Sequence, residues 1–253
     1  MTQNIYDDQN FFAGYSELPR SVEGLAGAPE WEAVRALLPP ISGARILDLG
    51  CGFGAFDRWA AAEGARQVIG VDISRNMLGR ARELAGNPLI EYRTGDLSAL
   101  DVPERDFDLA YSALAFHYVE DFPGLCAAIR SRLRTGGRLV ATIEHPIFSA
   151  PGDDQWQEQD GRCFWPLDGY LDEGRRVRNW FADGVVKYHR TIETYVNALL
   201  DNAFRLVRLI EWGPDARQLA EHPEWARERN RPMFLLLAAD AIDQLTPSPA
   251  AAG

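Results

Sequence analysis

Short apolar runs alternate with helix-like stretches through most of this chain, and that alternation leaves few architectures open to it. "ARILDLG" precedes "AFDRWAAAEGA", and "QVIGVD" precedes "SRNMLGRARELAG". "LIEYRTGD" comes next, then "FDLAYSAL" ahead of "VEDFPGLCAAIRSRLRTGG", and finally "RLVATIEH". Buried strands separated by helices predict parallel pairing through right-handed crossovers, an α/β, doubly wound, Rossmann-like sheet. Ser74 is placed to cap the second helix, and Gly136-Gly137 to close the helix that starts near Val119. Residues 1–40 read as a helical lead-in ended by Pro39-Pro40. Residues 146–188 break the rhythm with Gly, Pro, aromatics and charges, and read as an insertion forming a substrate lid. Afterwards "HRTIETYVNALLDNAF" looks helical, while "FRLVRLIEW" and "PMFLLLAAD" look like strands. Residues 1–240 are expected to form a single domain, with 241–253 a disordered tail.

Charge narrows the function. With 26 Lys and Arg against 37 Asp and Glu, the chain carries a formal charge of -11. A polyanion is repelled by such a field, so nucleic acid is not expected as a partner. Cys51, Cys126 and Cys163 form no CxxC pair and are odd in number, which suits a reducing, cytoplasmic setting. No apolar run reaches the roughly 18 residues of a membrane span. No histidine pair has ligand spacing, so no metal is expected.

Gly50, Gly52 and Gly54 crowd the end of the first apolar run, where a backbone must come close to a ligand. In an open parallel sheet that position opens onto the ligand crevice. Gly50, Gly52 and Ala55 fit the G-x-G-x-x-[GA] spacing of a dinucleotide site, which keeps a nicotinamide-dependent oxidoreductase as an alternative. Asp48 argues against it: a carboxylate beside a pyrophosphate costs about 1 to 4 kcal/mol at partly wet dielectrics. A cation without phosphate, such as S-adenosylmethionine, turns that cost into attraction. Asp72 ends the second strand where an acid can accept from both ribose hydroxyls. Asp96, after the third strand, could accept from the adenine amino group while the Leu97 N–H donates. Each acid also has an architectural role open to it, as a helix cap or an Asx turn.

Taken in order, "ILDLGCGFG", "VIGVDIS", "RTGDLSAL", "FDLAYSALAFHYVED" and "LRTGGRLVATIEHP" resemble the class I S-adenosylmethionine-dependent methyltransferases of the small-molecule type. The resemblance implies a seven-stranded sheet whose last strand, near 233 to 239, runs antiparallel. It also implies that Asp48, Gly50, Gly52 and Gly54 hold the methionine end, Asp72 the ribose, and Asp96 with Leu97 the adenine. Ser112 would lie beside the cofactor, Cys51, Ile73 and Met77 complete the candidate set, and Tyr15 or Arg20 of the lead-in would meet the carboxylate. S-adenosylhomocysteine is the implied product.

Methyl transfer from a sulfonium needs near-attack geometry above all, and a hydroxyl acceptor gains from a histidine base. His145 follows the fifth strand and is the first candidate, expected to face the crevice. His117 after the fourth strand and His189, read as opening the helix after the insertion, are the others; His222 reads as surface. Trp156, Phe164, Trp165, Tyr170, Trp180 and Phe181 either wall a substrate pocket or pack the lid. The expected function is methyl transfer to oxygen or nitrogen of a small molecule, with a non-catalytic cofactor-binding scaffold as a further alternative. A homodimer is considered, but oligomeric state is left open.

Overall fold

The computed structural model describes residues 2–152 and 155–243. Five parallel strands form its centre: β1 (Arg45–Leu49), β2 (Gln67–Asp72), β3 (Ile90–Thr94), β4 (Phe107–Ala113) and β5 (Leu133–Glu144). Beyond an insertion come β10 (Phe204–Trp212) and β11 (Phe234–Ala241), and the sheet order is β10-β11-β5-β4-β1-β2-β3. β11 runs antiparallel to both β10 and β5. The expected seven-stranded sheet with its antiparallel last strand is therefore present. Strand order reverses between β1 and β4, so a crevice opens at their carboxyl ends.

Alternation along each strand divides the core in two. Leu47, Leu139, Ala141, Ile143, Leu235 and Leu237 face α6 (Phe122–Arg130) and α8 (Ile192–Asp201), where Phe122, Ile129, Tyr195 and Leu199 are buried. Ile46, Leu109, Val140, Leu236 and Ala238 face α3 (Trp31–Arg35) and α4 (Ala55–Ala62). A smaller cluster packs α5 (Arg75–Ala85) through Leu78 and Ala81 onto Tyr92. Ser74 caps α5 as expected, its hydroxyl accepting from the Met77 N–H at 3.0 Å.

The lead-in holds α1 (Gln9–Ser16), α2 (Pro19–Val22) and short 3-10 turns. The insertion contains α7 (Pro146–Ser149), a small hairpin of β6 (Gln157–Gln159) and β7 (Arg162–Phe164), and a longer one of β8 (Gly174–Trp180) and β9 (Ala182–His189). α9 (Ala216–Glu221) and a 3-10 stretch fill the connection from β10 to β11.

Three boundaries differ from expectation. α6 ends at Arg130, not at Gly136-Gly137, which lie inside β5. There Gly136 takes φ +77°, and a Cβ on Gly137 would sit 2.8 Å from the Phe107 carbonyl oxygen, so these glycines permit a close backbone approach. His189 ends β9 and does not open α8, whose cap is Thr191. Of the expected tail, Ala241 ends β11 and the Ile242 N–H donates to the Ala203 carbonyl at 2.9 Å; residues 244–253 lie outside the described residues. Among the described residues no helix is long and apolar enough to cross a membrane.

Candidate functional site

A cavity of about 860 Å³ occupies the crevice at the carboxyl ends of the strands. The glycine turn forms its floor. Gly50, at φ +79°, could not carry a side chain, because a Cβ would lie 2.4 Å from the Ala115 Cβ. Gly52 has φ +51° and nothing within 4 Å of where its Cβ would be, so a ligand can approach its backbone. Gly54 plays a different part: a Cβ there would strike the Tyr92 hydroxyl at 1.9 Å, so it seats α4 against β3 and stands behind the wall.

Asp48, Asp72 and Asp96 all line this cavity, together with Cys51, Ile73, Met77, Leu97, Tyr15 and Arg20. Asp72 accepts from the Gly52 N–H at 2.9 Å and the Ser74 N–H at 2.8 Å, which fixes its carboxylate; burial still pushes its pKa up to about 6. Asp48 lies against Asp57 of α4, and burial followed by the Asp57 charge drives its carboxyl well up. Asp57, fully buried, is raised to about 6. Asp96 is also desolvated, but hydrogen bonds from Thr2 and Ser98 outweigh that and lower its pKa. Arg20 is held by Glu30 at 3.1 Å, and Tyr15 packs edge-on against Phe53 and Trp180. Ser112 departs from expectation: it is fully buried within the sheet, outside the wall, and its hydroxyl donates to the Leu49 carbonyl at 2.7 Å.

The three candidate histidines separate clearly. His145 does not face the cavity. It shares the β5 face of Ile143, its Nδ1 accepts from the Ile147 N–H at 3.1 Å as the cap of α7, and its Nε2 meets Glu211 at 2.9 Å. His189 is likewise enclosed, between the Ser149 hydroxyl at 2.8 Å and the Tyr170 carbonyl at 2.9 Å. His117 does line the cavity, with Nε2 3.8 Å from Glu144 and a buried Nδ1 that meets no partner among the described residues. Burial lowers its pKa to about 4, against the opposing pull of Glu144.

Several wall residues were not read from the sequence. Glu144 accepts from Lys187 at 2.5 Å, and Tyr118, bonded to Tyr6 at 3.2 Å, lies beside them. Strand alternation held the signal for Glu144, since the neighbour of an inward-buried Ile143 must face the other way. His222 stacks on Trp225 with ring centroids 4.3 Å apart, and both reach the cavity rim. Of the insertion's aromatics, Trp180 lines the cavity. Trp165 and Trp156 instead pack around Arg231.

A glycine turn beneath fixed acids, at the switch point of a mostly parallel seven-stranded sheet, suits a nucleoside ligand with a cationic end and no phosphate. Residues 47–141 match the family described as a methyltransferase domain. A crystal structure of an S-adenosylmethionine-dependent methyltransferase from Mesorhizobium loti is 48% identical, covers 86% of this chain and all of its own, and superposes with a TM-score of 0.83. An uncharacterized protein of Haemophilus influenzae is 32% identical over 95% of this chain and 98% of its own length. A malonyl-[acyl-carrier protein] O-methyltransferase of Pectobacterium atrosepticum is 34% identical over 51% of this chain, which spans half of that relative. The chain belongs to the S-adenosylmethionine-dependent methyltransferases. It is an enzyme of that class, and the nicotinamide and non-catalytic alternatives fall away.

Proposed function

We propose that this enzyme methylates a hydroxyl oxygen of a small molecule and that His117 takes up the hydroxyl proton. His117 carries this reading: the residue lines the cavity, and its buried Nδ1 meets no partner among the described residues. When bound, S-adenosylmethionine supplies a methyl group activated by its sulfonium. Asp72 would accept from the ribose, Asp96 and the Leu97 N–H would hold the adenine, and Asp48 with Gly50 and Gly52 would hold the methionine end. Tyr15 and Arg20, which line the same cavity, would meet its carboxylate, and Cys51, Ile73 and Met77 would complete the wall. Gly54 supports this set from behind.

His117 is neutral at physiological pH, because burial lowers its pKa to about 4, and so it retains a lone pair for an incoming hydroxyl proton. Glu144 at 3.8 Å stabilises the imidazolium that results. Lys187 orients Glu144 through their ion pair. The O-methyltransferase name of the Pectobacterium relative agrees in acceptor atom. Residues 1–240 act as one domain in this reading, with the insertion of 146–188 as its lid, and free cysteines suit a cytoplasmic setting.

Release of S-adenosylhomocysteine across matched hydroxyl and amine acceptors tests the proposal. Hydroxyl acceptors should turn over, and His117→Ala should lower kcat about 10²-fold or more with S-adenosylhomocysteine affinity unchanged. The acid limb of kcat/KM should lie near pH 4, where the His117 pKa falls. Methylation of amines alone, or full turnover by His117→Ala, would overturn it.

A further inference from the structure

Arg176 and Lys187 are direct cross-strand partners in the β8–β9 hairpin, and both line the cavity. Arg178, two residues further on and so on the same face of β8, lines it too. Like charges set opposite each other on a two-stranded ribbon are destabilising. In a protein of net charge -11 the clustering is the more conspicuous. Glu144 neutralises Lys187 at 2.5 Å. The hydrogen bonds of Arg176 instead go to the carbonyl oxygens of Ala150 at 3.3 Å, Arg175 at 3.4 Å and Asp172 at 2.6 Å. Those bonds hold the guanidinium in place without cancelling its charge. Arg178 also donates to the Ser149 and Pro151 carbonyls, and its charge acts on both Glu144 and Lys187. Trp180 supplies an apolar wall beside these cations, its ring 5.1 Å from the Lys187 Nζ.

The geometry points to an oxyanion-bearing acceptor: a hydroxylated small molecule whose carboxylate or phosphate seats against Arg176, with Lys187 and Arg178 beside it. This rests on the hydroxyl-acceptor reading and adds the chemistry of the acceptor's other end. A fixed planar guanidinium recognises such a group by paired charge-assisted hydrogen bonds. The preorganised carbonyl bonds lower the ordering cost of binding.

Calorimetric titration of the protein saturated with S-adenosylhomocysteine tests the inference without turnover. The probes are salicylate, para-hydroxybenzoate and para-coumarate, each beside its neutral amide, with inorganic phosphate as a separate arm. At least one acid should bind about tenfold more tightly than its amide or more, as expected for charge-assisted bonds. Binding of phosphate that competes with that acid would mark the site as general for oxyanions; phosphate binding with no acid preference would assign it to phosphate esters. Arg176→Met should bring the acid-to-amide ratio close to one, and Arg176→Lys should restore part of it. Both variants should keep wild-type affinity for S-adenosylhomocysteine, which shows that they are folded. His117→Ala should leave the ratio intact, so failure of the base and failure of the oxyanion seat are separable. Equal binding of acids and amides without phosphate binding, no binding by any probe, or an acid preference that survives Arg176→Met would overturn the inference.

Discussion

Asp57 sits fully buried beneath the glycine turn, beside Asp48, and burial lifts its pKa from 3.8 to about 6. A carboxyl raised in this way binds its proton more tightly in the native chain than in the unfolded one. Between those two pKa values unfolding releases protons, so stability declines as pH rises from about 4 and the full loss is present above about 6. Asp48 shifts in the same direction, by burial and then by the Asp57 charge. Asp57→Asn, neutral at every pH, should therefore lose less stability than wild type between acid and neutral pH, by roughly 1 to 3 kcal/mol. Denaturant unfolding at pH 4.5 and 7 measures it, and parallel profiles would show that Asp57 does not titrate with folding. Asp48, Asp72 and Asp96 were legible in sequence because each lies at or just past the carboxyl end of a strand, next to turn residues. The partnership of Asp48 with Asp57 was not, since it arises only when α4 folds back over β1. The same limit hid the orientation of His145: it follows Glu144, the last residue of β5, and that single step turns its ring away from the cavity.

At the level of elements, α7 depends on His145 in a way that separates capping from catalysis. Its Nδ1 accepts the Ile147 N–H, so the bond to Glu211 is donated by Nε2–H and the ring is neutral. Burial lowers its pKa further, in spite of Glu211. His145→Ala should cost about 1 kcal/mol as a lost cap, seen as a fall in Tm, while kcat stays within a few-fold of wild type. His145→Asn, which can cap, should regain much of that stability. A hundredfold fall in kcat for His145→Asn at normal Tm would return His145 to the chemistry. The parallel strands and main helices were legible because they are buried on both faces or carry clear start and stop signals. The insertion's hairpins were not. β8 alternates half-buried and exposed residues, but the half-buried ones include Arg176 and Arg178, which donate to distant carbonyls that no local pattern reveals.

Across the whole molecule, the first residues tie together three parts of the site that are distant in sequence. Thr2 donates to Asp96 through its hydroxyl at 2.6 Å and its N–H at 3.2 Å. Asp7 accepts from the Ser74 hydroxyl at 2.7 Å and the Asn76 N–H at 3.1 Å at the start of α5. Gln3 spans to the β8–β9 hairpin, donating to the Gly184 carbonyl at 3.0 Å and accepting from the Val186 N–H at 2.9 Å. Tyr6 adds its hydroxyl to that of Tyr118 beside the proposed acceptor seat. The lead-in was legible as helical, but this bridging is a long-range property that local pattern cannot carry. Partly exposed hydrogen bonds contribute about 0.5 to 1.5 kcal/mol each. Removing the first eight residues should thus weaken S-adenosylhomocysteine binding about ten- to a hundredfold and expose the Val186 amide to faster hydrogen exchange. Gln3→Ala separates the two effects, because Gln3 touches the hairpin and not the acids. It should speed Val186 exchange and raise the acceptor KM while S-adenosylhomocysteine affinity stays at the wild-type value. Unchanged exchange at Val186 in both variants would mean that the hairpin holds its position without the lead-in, and that the acceptor and cofactor ends of the cavity close independently.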